Sequence, residues 1–155
     1  MIPKSPRSDS VAPSPLAESE AGALSTHHRL NILCAEDDEA IARLLQAILA
    51  TAGHSVDHAP NGQDALRRIQ ANPAKYDLLI TDHDMPELDG LELVHGVRQT
   101  EFSGSLIVHS SALTLSIQNA YRALQVSHFL AKPEGASRLL AEVAQAARPI
   151  QNPDS

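Results

Sequence analysis

The chain has 155 residues, 43% hydrophobic and 20% charged, the composition of a single globular domain with its own core. Its formal net charge of −7, without a basic stripe or aromatic-basic interleaving, argues against nonspecific binding to nucleic acid. One cysteine, Cys34, rules out an internal disulfide, and no apolar run approaches the length of a membrane span.

Residues 1–28 carry Pro3, Pro6, Pro13 and Pro15 among many serines. Such a segment buries too little apolar surface to offset its ordering entropy, so a disordered leader is expected. It lacks the apolar stretch of a signal peptide, and the expectation is a soluble, unexported, cytoplasmic protein. Residues 29–148 form the expected domain, with a flexible tail over 149–155.

Within the domain, strand and helix signals alternate. Leu30–Ala35 reads as a short apolar strand containing Cys34, whose expected role is a buried core thiol. Ile41, Leu44, Leu45, Ile48, Leu49 and Ala52 mark one face of a helix that Gly53 stops. Val56 and Ala59 sit in a weaker strand, and Asn61-Gly62 punctuates after it. Ala65, Leu66 and Ile69 give a second helix, closed near Pro73. Asp77–Thr81 is apolar enough to be a buried central strand. Leu91, Val94 and Val97 outline a third helix after Gly90, and Leu106–Val108 a fourth strand. Ile117, Ala120, Tyr121 and Leu124 form a fourth helix. Phe129 and Leu130 belong to a fifth strand, and Leu139, Leu140, Val143 and Ala147 to a last helix. Five strands alternating with five helices require right-handed crossovers and a doubly wound α/β parallel sheet covered on both faces.

In such a sheet the carboxyl ends of the strands share one edge, where ligands bind. Here four strands end on polar residues: Glu36-Asp37, Asp82, Ser110 and Lys132-Pro133. Asp82 is the candidate nucleophile, because a carboxylate held beside a metal can attack a phosphoryl donor. Taken alone, it would more often be a helix cap or a loop aspartate. Asp84-Met85-Pro86 and Asp89-Gly90 follow it, however, and give that loop a defined shape. Carboxylates gathered there repel each other by about 4 kcal/mol per unit-charge pair at about 4 Å and intermediate dielectric. A hard cation such as Mg²⁺ relieves that repulsion. Helix N-terminal acidity accounts for Asp38 and Glu39, but less well for Glu36 and Asp37. Pro133 keeps Lys132 extended, so its ammonium can reach a phosphoryl oxygen, and Ser110 can donate a hydrogen bond to the same group. Singly, both are ordinary surface or strand-end residues. His83 and His109 lack partners at metal-ligand spacing, so polar loop and sheet roles are expected.

The stretches Ile32–Asp38, Asp82–Gly90, Ser110-Ser111-Ala112 and Lys132-Pro133, in this order, resemble the receiver domain of bacterial response regulators. The resemblance covers roughly Leu30 to Ala147. It implies a five-stranded, flavodoxin-like sheet of order 2-1-3-4-5. It also implies that Asp82 accepts phosphate from the phosphohistidine of a sensor histidine kinase or a histidine phosphotransfer protein. Asp37 and Asp82 would bind Mg²⁺ directly, Glu36 through water, and Asp84 through its backbone carbonyl. Ser110 matches the switch hydroxyl, Lys132 the phosphate-pairing lysine, and Phe129 a rotating aromatic residue. The Lys132–Pro133 peptide would be cis. Gln125-Val126 stands where Gly-Ala is common, so the turn after the fourth helix can differ in shape, and His109 replaces an aliphatic residue. Asp84 and Ala112 occupy variable positions that help set phosphoryl lifetime.

The expected protein is therefore a stand-alone phospho-receiver that signals by docking to an unknown downstream protein. It would bind no nucleic acid or membrane and would catalyse only its own phosphorylation and dephosphorylation. Asp82-His83-Asp84 also fits the Asp-x-Asp motif of haloacid-dehalogenase-type phosphatases, but Pro86 stands where that family wants threonine. A scaffold that has lost its switch would not need the full set of Glu36, Asp37, Asp82, Ser110 and Lys132.

Overall fold

Strand periodicity sorts the apolar side chains into two layers. Along the first strand, Ile32 and Cys34 enter one core while Leu33 and Ala35 enter the other, as alternation across a pleated strand requires. A computed structural model describes residues 29–147, so the expected leader and tail lie outside the described residues.

The elements follow in order as β1 (Asn31–Ala35), α1 (Glu39–Thr51), β2 (Ser55–Ala59), α2 (Gly62–Ala71) and β3 (Leu78–Thr81). They continue as α3 (Gly90–Val97), β4 (Ser105–Ser110), α4 (Leu115–Arg122), β5 (His128–Ala131) and α5 (Ala136–Ala146). The five strands form one sheet of order 2-1-3-4-5, and every neighbouring pair is parallel. The expected fold and strand order are both found. No helix among the described residues is long and apolar enough to cross a membrane.

Leu45, Leu49, Leu139 and Val143 of α1 and α5 cover one face of the sheet. Ile69 of α2, Leu93, Val94 and Val97 of α3, and Tyr121 of α4 cover the other. Central β3 is buried at all four positions, consistent with its unbroken apolar run, whereas edge strand β2 is mostly half-buried. Cys34 is fully buried, as expected, and burial above all pushes its thiol up to about 12.

Helix starts are fixed by side-chain caps. Asp38 accepts hydrogen bonds from the Ala40 and Ile41 N–H groups, so its position before α1 is explained by capping alone. Asp89 and Glu92 form a reciprocal capping box at the start of α3. The Asp-Gly pair expected as a turn thus also begins a helix, and the Asp-x-x-Glu spacing was its signal.

The turn after α4 does differ through Gln125. Val126 N donates to Tyr121 O and Gln125 N to Arg122 O, the paired bonds of a Schellman closure. Gln125 consequently adopts φ 67°, in the left-handed region that favours glycine. Gln125→Gly is expected to raise the unfolding free energy by roughly 0.5–1 kcal/mol. Urea titration checks this; a loss of stability would mean that the Gln125 side chain outweighs the backbone strain.

Candidate functional site

Parallel pairing brings the ends of β1, β3, β4 and β5 to one edge, and the ladder continues beyond the strands. Glu36 N donates to Ala59 O, Asp82 N to Ala35 O, and Lys132 N to Ser110 O. The residues that carry the chemistry are therefore held by the sheet and not by free loops. The Lys132–Pro133 peptide is cis, as expected.

Lys132 Nζ donates to Glu36 Oε1 at 2.8 Å and to Asp82 Oδ2 at 3.0 Å. Carboxylate oxygens of Glu36, Asp37 and Asp82 lie within 4.8 Å of one another. Glu36 is 2% exposed and Asp82 8%, whereas Asp37 faces solvent. One ammonium thus bonds two of three gathered carboxylates. Glu36 Oε2 is buried without a hydrogen-bond partner, an arrangement that costs free energy unless a cation or water completes it. Beside this cluster, Asp37, Asp84, Met85, Pro86 and Asp89 line an open cleft.

The two buried carboxyls are pushed apart. Burial, with Asp82 beside it, raises Glu36 to about 7 against the pull of Lys132. Burial alone would raise Asp82 too, but Lys132, Glu36 and the His83 N–H together hold it below the ordinary carboxylate range. Lys132 is raised because its two carboxylate bonds outweigh burial. The site therefore keeps Asp82 ionised, with the Lys132 ammonium already bonded to it.

Ser110 is fully buried at the neighbouring strand end, and its Oγ accepts from Ala112 N at 3.2 Å. Its hydroxyl is engaged with its own loop, one strand away from the carboxylates. The Asp84 side chain lines the cleft but is not one of the three gathered carboxylates.

Three further contacts were missed in the sequence. His58 Nε2 lies 2.6 Å from the Glu36 carbonyl and braces the acidic loop from β2. His109 Nε2 lies 2.6 Å from Glu134 Oε1, which gives a polar ring a partner at a position where receiver domains usually carry an aliphatic residue. His83 Nδ1 lies 2.8 Å from the Tyr121 hydroxyl. The only usable sign of these pairs was a histidine in or next to an apolar strand, since each partner is 22 to 38 residues distant. Volume is no guide to the site: the roughly 840 Å³ cavity lined by Leu30, Asp77, Arg98, Ser105 and His128 lies at the opposite edge of the sheet.

A parallel 2-1-3-4-5 sheet with an acidic crevice and one ammonium at its carboxyl edge defines a flavodoxin-like α/β protein of the phospho-receiver type. Known structures agree. The chain is similar to the chemotaxis protein CheY4 of Vibrio cholerae, with a TM-score of 0.71 and 25% identity over 77% of this chain and 99% of that one. It is similar to a response regulator receiver protein from Pseudomonas putida, with a TM-score of 0.69 and 27% identity over 76% and 98% of the two chains. In sequence it is 45% identical over 75 residues to the response regulator receiver protein CpdR of Brucella abortus, covering 48% of this chain and 59% of that protein. The chain thus spans less than two thirds of that relative. The family model for the response regulator receiver domain matches residues 32–144. The chain belongs to the response regulator receiver domain family of two-component systems, and the phosphatase reading of Asp82-His83-Asp84 falls away.

Proposed function

We propose that Asp82 accepts a phosphoryl group from the phosphohistidine of a sensor histidine kinase or a histidine phosphotransfer protein. The Lys132 ammonium, bonded to both Asp82 and Glu36, is the observation that carries this reading. In the transfer an Asp82 carboxylate oxygen forms the new bond to phosphorus as the donor's nitrogen–phosphorus bond breaks, and the donor imidazole keeps the electron pair. Lys132 follows the charge onto a phosphoryl oxygen, and Ser110 donates to another.

The donor set suits Mg²⁺: all-oxygen ligands, excess negative charge, and the orphaned Glu36 Oε2. Asp37 and Asp82 would hold the ion directly, Glu36 through water, and Asp84 through its carbonyl. The cation supplies charge neutralisation for the attacking carboxylate and the phosphoryl oxygens. Asp37→Ala is expected to weaken Mg²⁺ binding and phosphoryl uptake together, each by about tenfold or more. Mg²⁺ titration followed by amide shifts checks this, and an unchanged titration would remove Asp37 from the ligand set.

Phosphorylation would then change the surface of α4, β5 and α5. Drawing the Ser110 hydroxyl toward the phosphoryl group frees space for Phe129, which is half-buried on β5, to turn inward. In this reading the protein signals by docking to a downstream protein partner in the cytoplasm. Incubation with Mg²⁺ and acetyl phosphate, followed by adduct mapping, tests the reading; one phosphoryl group on Asp82 is expected. Beryllofluoride should shift amides across Leu113–Leu124 and at Phe129, and shifts confined to the loop after Asp82 would contradict the switch.

A further inference from the structure

His83, the residue after the proposed acceptor, is held at three points. Its backbone N–H donates to Asp82 Oδ1 at 2.6 Å, and its carbonyl accepts from Gly90 N at 2.8 Å. Its ring Nδ1 lies 2.8 Å from the hydroxyl of Tyr121, which is fully buried on α4. Burial, with Asp89, Asp82 and Asp84 nearby, raises the phenol above its ordinary value, so it keeps its proton and can donate it.

The space for this contact depends on Gly90. A Cβ there would collide with the Asp82 carbonyl and with the Tyr121 hydroxyl itself. The Tyr121 ring also packs edge-on against two others, His83 at 5.6 Å and Phe129 at 6.2 Å between centroids. Arg122, next in α4, places its guanidinium 5.2 Å from the Phe129 ring centre. A continuous set of contacts therefore runs from the Asp82 carboxylate through His83 and Tyr121 to Phe129 on β5.

We propose that Tyr121 is a positioning residue for the phosphoryl acceptor: acting through His83, it fixes the Asp82 carboxylate and ties that carboxylate to α4 and Phe129. This rests on the reading of Asp82 as the acceptor. The physical basis is that one residue, His83, bonds the carboxylate through its backbone and α4 through its ring. A displacement of either end is felt at the other, because a packed interior does not absorb it. This route does not pass through the Ser110 hydroxyl.

Tyr121→Phe and His83→Phe each delete the same hydrogen bond while keeping an aromatic ring in place. With saturating Mg²⁺ and acetyl phosphate, each is expected to slow phosphoryl uptake about three- to tenfold, the size expected for losing one buried hydrogen bond. The double variant should be no slower than the slower single one, since both remove one shared interaction. Beryllofluoride-induced shifts at Phe129 should shrink in all three. Wild-type rates in both single variants, or effects that multiply in the double variant, would overturn the positioning role while wild-type labelling at Asp82 still stood. Absence of wild-type labelling at Asp82 would instead remove the acceptor reading, and this inference with it.

Discussion

Asp82→Asn is expected to abolish phosphoryl uptake from acetyl phosphate while leaving the fold intact. The amide is nearly isosteric with the carboxylate, so it can still accept the His83 N–H and the Lys132 ammonium through its oxygen. What it loses is the anionic oxygen that attacks phosphorus. The change also removes one of two carboxyls bonded to the same ammonium, and with it part of the repulsion that raises Glu36. Stability should therefore hold within about 1 kcal/mol of wild type, or improve. Intact-mass spectrometry after incubation with Mg²⁺ and acetyl phosphate reads the result. A retained adduct, mapped to Asp37 or Asp84, would displace Asp82 as the acceptor.

The fold was legible because each buried strand carries its own signal. Ile32–Ala35 and Leu78–Thr81 are apolar on both faces, which in a chain of alternating strands and helices leaves only a covered parallel sheet. The β2 strand was the faint one, since Ser55, Asp57 and His58 serve a half-buried edge and dilute the pattern. Glu36, Asp37, Asp82 and Lys132 were legible for a related reason. Each lies within two residues of the end of an apolar run, and topology alone brings such ends together. The orientation of Ser110 could not be read, because a hydroxyl chooses between acceptors by local geometry. The His83–Tyr121 and His109–Glu134 pairs were hidden because they join residues far apart in the chain whose side chains meet only after packing. The Gln125 turn lay between these cases: the missing glycine marked it as unusual, but the left-handed backbone is a fact of the fold.

Lys132→Met should separate the electrostatic role of the site from its chemical one. Methionine keeps an unbranched apolar stem, one atom shorter, and removes the charge, leaving Glu36 and Asp82 facing each other without the ammonium. The pH dependence follows from Glu36, whose carboxyl stands near 7 in the metal-free fold against an ordinary 4.5. Between those values the folded state holds a proton that the unfolded state has lost. The contribution is fully present below 4.5 and is lost as pH rises through 7, by about 3 kcal/mol in all. Asp82 shifts the other way, so its contribution is present above its ordinary 3.8 and is lost only in stronger acid, below this window. In EDTA, wild-type stability should thus fall between pH 5 and pH 8, and Lys132→Met should fall further, by roughly 3 kcal/mol more at the alkaline end. Mg²⁺ should restore both proteins by binding the folded state. Phosphoryl uptake by the variant should nevertheless stay depressed by about a hundredfold at saturating Mg²⁺, because the cation at the transferring oxygen is gone. Urea titrations at the two pH values, with and without Mg²⁺, and acetyl phosphate kinetics read these effects. A loss of stability equal at both pH values would place the cost in packing and not in the carboxyl pair. Uptake at the wild-type rate would remove Lys132 from the transfer.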